Sequence, residues 1–210
     1  MGTLQTFDNS CDVEIKHRVD KAWKAFHLHR DILCCKSASM GKRLRCLQTF
    51  VASTLLWGAS SWNVTKRQRS LLRGTQQRMM RKMLGIRSGP LEPMADYCSR
   101  VHRRISGLLE THHLEKWDEH QQHGYYNFMG HLARMGLRDA QRVTYKVFRF
   151  KDLRYIAAVQ SEFGHQTHGR RLHVWRLEWP LYKHNRDWLR RAHSASEWNA
   201  GWHAWWNLRR

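Results

Sequence analysis

The chain has 210 residues, 41% of them hydrophobic, which is enough to build a real core in one domain or two small ones. Its 37 Lys and Arg against 17 Asp and Glu give a formal charge of +20, a balance that favours an anionic partner: RNA, DNA or an acidic membrane. From the odd set Cys11, Cys34, Cys35, Cys46 and Cys98 no disulfide framework follows. The stretch MGTLQTFDNSCDVE is not basic and then apolar, as a signal peptide is, so the expected setting is intracellular, nucleus or cytoplasm.

In chain order, a first helix is predicted from near Asp12, with Ile15, Val19, Ala22, Trp23, Phe26 and Leu33 at helical spacing. Glu14, Lys16, Arg18, Asp20, Lys21 and Lys24 form the alternating charge of a solvated opposite face. Ser37 and Ser39 suit the start of a second helix through Leu44, Leu47, Val51 and Leu55, with Gly58, Ser60 and Ser61 near its end. From Cys46 to Thr65 there is no charge, about the length of a membrane span. Gln48, Asn63 and six Ser or Thr residues argue instead for a helix apolar nearly all round at the centre of a bundle, and no membrane partner is expected.

Thr65 and Gln68 have capping-box spacing and open a third helix that runs to Leu84, with Gly85 as its stop. Between Gly41 and Gly89 the chain carries Lys42, Arg43, Arg45, Lys66, Arg67, Arg69, Arg73, Arg78, Arg81, Lys82 and Arg87, and neither Asp nor Glu. In the third helix Leu72, Thr75, Met79 and Met83 fall on one side, and Arg67, Arg78 and Arg81 roughly opposite. A cationic helix mounted on a buried anchor is a way to hold a phosphate backbone, with Arg67, Arg73, Arg78, Arg81 and Lys82 as its contacts.

Gly89, Pro90 and Pro93 mark a boundary and divide the chain into residues 1–89 and 90–210. Beyond it, Met94, Tyr97, Val101, Ile105 and Leu108 give the next apolar stripe, and a further helix covers Leu114 to Met135 with a bend near Gly124. Asp139 and Asp152 suit the starts of two short helices, and His165 to Arg171 reads as a loop. Three short helices follow. The last begins with Ser194 and Glu197 at capping-box spacing and carries Trp198, Trp202, Trp205 and Trp206 on one face. Eleven tryptophans supply large apolar surfaces for packing helices together, and beside cations they also suit stacking on bases.

No catalytic constellation is present: there is no Gly-rich phosphate loop, no GxSxG, no HExxH and no close acidic pair in an apolar strand. The nearest thing to a ligand cluster is His113, Glu115, His120 and His123, without sulfur ligands nearby. Cys98 and His102 share a helix face but lack an orienting third group. No metal, cofactor or catalytic residue is assigned.

The order of segments resembles a known family. Glu14, Ile15 and Arg18, then Lys42 and Arg43, then Leu55, Leu56, Trp57, Gly58 and Trp62, then Leu72, Gln76, Arg78, Met79, Arg81 and Gly85 look like the region after the polymerase palm in non-LTR (LINE-type) retrotransposon reverse transcriptases. Trp57 stands where that family usually has Tyr. Gly130, His131, Arg134 and Met135 resemble its "w.GH..RM" element, and HGRRLHVWRLEWPL its "GrR...W..e" segment.

Helical periodicity along the chain, without a convincing strand pattern, gives an all-α protein of two helical subdomains, and the resemblance implies their roles. The first is a three-helix, thumb-like bundle that grips template and primer; the second is a post-thumb region that helps hold template RNA or target DNA. His131 and Arg134 are a second set of contacts and Arg170 and Arg171 a third. The implied partners are RNA or DNA and the palm and fingers of a parent polymerase, in a ribonucleoprotein particle. The palm with its Asp-Asp metal site, the endonuclease domain and a zinc knuckle have no counterpart in this sequence, so no polymerase activity is expected of the chain by itself. The rival readings are a degenerate remnant, or a helical module whose exposed tryptophans meet a protein partner.

Overall fold

The structure is a computed structural model and describes residues 11–62, 64–134 and 181–208. The fold is all-α: among these residues every regular element is helical. In order they are α1 (Asp12–Leu28), α2 (Arg30–Leu33), α3 (Met40–Cys46), a π-helical segment (Leu47–Ala52), α4 (Ser53–Leu56), α5 (Lys66–Leu84), α6 (Met94–Thr111), α7 (Trp117–Arg134), α8 (Trp188–Ala192), α9 (Ala195–Ala200) and α10 (Trp202–Asn207). The predicted caps at Asp139 and Asp152, the loop from His165 to Arg171, and with it Arg170 and Arg171, lie outside the described residues.

Of the described residues, 11–59 and 64–121 form one compact unit, and 60–62, 122–134 and 181–208 belong to a second. The division falls within α7 rather than at Gly89 to Pro93, so α6 belongs to the first unit. The reason is packing: α6 lies against α5 through Tyr97, Val101, Ile105 and Leu109. Leu109, not Leu108, closes that stripe, and Met94 is exposed.

In the first unit Ile15, Val19, Ala22 and Phe26 of α1 meet Leu47, Val51 and Leu55, and Leu72, Met79 and Met83 of α5 complete the core. Each such side chain larger than that of Ala22 contributes about 1.5–3 kcal/mol by leaving water. The central segment is not apolar all round, because Thr49, Phe50 and Ser53 are exposed. The Ser53 hydroxyl donates to the Thr49 carbonyl and the Thr54 hydroxyl to that of Phe50, at 2.7 Å for the latter. Such back-bonding lets polar side chains sit on a helix while satisfying their own donors.

A second correction concerns the charged face of α1. Glu14 and Arg18 are buried beside Ile15 and Ala22 rather than solvated, with Arg18 Nε 2.7 Å from Glu14 Oε1.

The ends of α5 follow the local chemistry. Thr65 Oγ1 accepts from the Gln68 N–H at 3.3 Å, and Gln68 Oε1 accepts from the Thr65 N–H at 2.7 Å, a complete capping box. Gly85 ends the helix at φ 64°, where a side chain would be strained. Thr65→Ala is expected to cost about 1 kcal/mol in urea unfolding. Beyond Gly85, Arg100 clamps the turn, donating to both oxygens of Glu92 at 2.7 Å, and this holds the Glu92 carboxyl down at about 2.

α7 runs unbroken through Gly124 from Trp117, not from Leu114. In the second unit Tyr125, Tyr126 and Met129 of α7 pack against Trp188, Trp198, Trp202, Trp205 and Trp206. The predicted tryptophan helix is two helices, α9 and α10, meeting at Gly201, with Ser194 accepting from the Glu197 N–H. All four indoles are nonetheless buried. Tyr126 stacks on Trp198 at 4.1 Å, and burial pushes its phenol up to about 12, so it remains a donor.

Candidate nucleic-acid interface

The capping box and the Gly85 stop fix the length of α5, and its buried row of Leu72, Thr75, Met79 and Met83 fixes its rotation about its own axis. With the rotation set, Arg67, Arg78, Arg81 and Lys82 fall within an arc of about 100° on the other side. Arg67, Arg78 and Lys82 are exposed and Arg81 is half-buried. α5 contains no Asp or Glu, so nothing on the helix neutralises that arc.

Their side chains differ in what they do. Arg78 lies back along its helix, with Nε 3.3 Å from the Gly74 carbonyl and Nη2 3.2 Å from Thr75 Oγ1. Lys82 Nζ sits 5.0 Å from the ring centre of Trp23 in α1. Arg67 and Arg81 make no side-chain hydrogen bond or ion pair with any described residue. Arg81 and Lys82 also turn toward a cleft shared with His27, Arg30 and Arg87. Arg30 and His27 were not singled out from sequence, because nothing in their local pattern ties them to α5.

Arg73 has a different role from the one expected. Its Nε donates to Asp118 Oδ2 at 3.0 Å and its Nη2 bonds the same oxygen, and Asp118 is fully buried. That hydrogen bond raises the Arg73 pKa, and the guanidinium fastens α5 to the first turn of α7. A phosphate would have to compete with a buried carboxylate for those two nitrogens. Arg43, counted among the cations of this stretch, is also buried, donating to the Leu33 carbonyl at 2.7 Å and to that of Met83.

The second set is likewise split. His131 is exposed on α7, whereas Arg134 Nη1 donates to the Ala192 carbonyl at 2.8 Å and closes the end of α8. Of the histidine cluster, His120 Nδ1 is 2.9 Å from Glu115, which raises its pKa, whereas His123 stacks on Trp202 at 4.6 Å. Among the described residues no group of three His, Cys, Asp or Glu side chains is arranged to hold a metal ion, and no helix is long and apolar enough to cross a membrane.

Protein-family models, curated proteins and solved structures give no match to this chain. What the site can do therefore rests on its own chemistry. An acid-free helical arc of guanidinium and ammonium groups offers charge and forked donors to phosphate oxygens.

Proposed function

We propose that the chain binds nucleic acid through the phosphate backbone, with Arg67, Arg78, Arg81 and Lys82 of α5 as the principal contacts and His131 as an accessory one. In the wider form of this reading the helical bundle of residues 1–89 is the thumb of a non-LTR retrotransposon reverse transcriptase, which holds template and primer for a palm on another polypeptide segment. The observation that carries the reading is the α5 arc itself: cations on a firmly capped helix, without a carboxylate among them, in a chain of net charge +20. Solubility requires far less charge than this. The rival reading, a protein-docking module with exposed tryptophans, has less support. Trp62, Trp117, Trp188, Trp198, Trp202, Trp205 and Trp206 are buried, and of the described tryptophans only Trp57 is exposed.

Backbone binding releases counterions, so affinity for RNA, single-stranded DNA or an RNA/DNA hybrid should fall steeply between about 50 and 200 mM salt. Fluorescence anisotropy reads this directly. Arg78→Ala with Arg81→Ala should weaken binding and lower the salt slope by roughly two units, about one per lost phosphate contact. Undetectable or salt-insensitive binding would overturn the proposal, and an unchanged slope in the double variant would move the interface off α5.

A further inference from the structure

Seven arginines of the first unit contrast in what their side chains do. Arg18, Arg43, Arg73 and Arg100 spend their guanidinium groups on Glu14, on main-chain carbonyls, on Asp118 and on Glu92. Arg30, Arg81 and Arg87 have no side-chain hydrogen bond or ion pair among the described residues. These three come from separate parts of the chain, yet they line one cleft of about 300 Å³, together with Lys82 and His27. Among the described residues no carboxylate lines it. Its apolar wall is Phe26 and Ile86, both buried, and Gly85 leaves open space where a side chain would stand.

Three guanidinium groups and an ammonium group around one cavity repel one another, and an anion among them relieves that cost. The cleft lies at the C-terminal end of α5, where unsatisfied carbonyls would ordinarily oppose an anion. Here three of the last four are occupied. The Arg81 carbonyl accepts from the Ile86 N–H at 3.2 Å, that of Lys82 from the Gly85 N–H at 3.1 Å, and that of Met83 from buried Arg43.

We propose that this cleft is a binding site for a phosphomonoester: the terminal phosphate of a nucleic-acid strand, or that of a small phosphorylated molecule. A monoester brings a charge of about −1.5 to −2 and three strong acceptor oxygens, a better match to three forked guanidinium groups than the single charge of an internal phosphodiester. The volume is at the small end of ligand cavities, of the order needed for the phosphate and part of the group it esterifies. Phe26 and Ile86 give that group an apolar wall. For the strand end, the proposal rests on the nucleic-acid reading above; for the small molecule it does not.

The test is calorimetric titration of the full chain with adenosine 5′-monophosphate and with adenosine, and with one 12-nucleotide single strand carrying either a 5′-phosphate or a 5′-hydroxyl. The monophosphate should bind where adenosine does not, and the phosphorylated strand should bind about tenfold more tightly than its hydroxyl twin. Arg30→Ala with Arg87→Ala should erase both preferences while keeping affinity for the hydroxyl strand within about twofold, since neither residue belongs to the α5 arc. A preference for the monophosphate alone assigns the cleft to a small molecule. Equal binding within both pairs overturns the proposal even if both strands bind, and preferences that survive the double substitution do so too. If neither strand binds while the monophosphate does, the nucleic-acid reading falls and the cleft stands.

Discussion

Arg18→Ala should cost the first unit about 3–5 kcal/mol, because it removes the positive charge that pairs with the buried carboxylate of Glu14 inside the core. The two side chains are 1% and 4% exposed, their atoms lie 2.7 Å apart, and the Arg18 guanidinium carbon sits 4.7 Å from the ring centre of Trp57. Removing the arginine therefore deletes a charge-assisted bond and a cation–π contact, and leaves a cavity beside a buried anion. Replacing both members, Glu14→Leu with Arg18→Met, should recover much of the loss, since the cost lies in an unbalanced buried charge and not in the absence of the pair. Urea unfolding followed by helical circular dichroism measures both. If Arg18→Ala cost less than about 1 kcal/mol, as an exposed ion pair would, the pair would be solvated and α1 rotated from its described position.

That pair also marks where sequence reading stops. Residues 14 and 18 look like surface because charge at helical spacing is mostly solvated, and the pattern of α1 does not reveal that two opposite charges one turn apart neutralise each other inside. The Thr65–Gln68 box and the Gly85 stop were legible, because caps depend on residues within one turn. The all-α class was legible for the same reason: periodicity and caps are local. The π-helical segment was not, since a shift in main-chain hydrogen-bond register has no side-chain signature. Nor was the division within α7, which is decided by α6 packing on α5.

For the candidate interface the limit falls in the same place. The arc of Arg67, Arg78, Arg81 and Lys82 follows from 100° per residue once the apolar row is known. Arg73 could not be separated from it, because its partner Asp118 is 45 residues away. Arg43 and Arg134 likewise bond to main-chain carbonyls supplied by other elements, and no residue type announces those. The cleft of Arg30, Arg81 and Arg87 exists only once α2 and the end of α5 are brought together.

Gly130→Ala separates packing from binding in the element that resembles "GH..RM". On an exposed helix this change should stabilise by up to about 1 kcal/mol. Here an added Cβ would overlap Nε1, Cδ1 and Cε2 of Trp198, the last at 2.8 Å. The indole cannot easily retreat. Its Nε1 donates to the Tyr126 carbonyl at 3.1 Å, the Tyr126 hydroxyl donates to the Trp198 carbonyl at 2.9 Å, and the two rings stack within 10° of parallel. Overpacking so constrained a ring should destabilise the second unit by about 3 kcal/mol and flatten the near-ultraviolet dichroism of its tryptophans. Trp198→Phe in the same chain should restore part of the loss, since the smaller ring vacates the space the new methyl needs. A rise in melting temperature for Gly130→Ala would mean that Trp198 does not lie on α7. The next residue, His131, is exposed, so His131→Ala should leave stability within about 0.5 kcal/mol and alter only binding. Two adjacent positions of one short element would then act in different ways, the glycine through the core it admits and the histidine through the surface it presents.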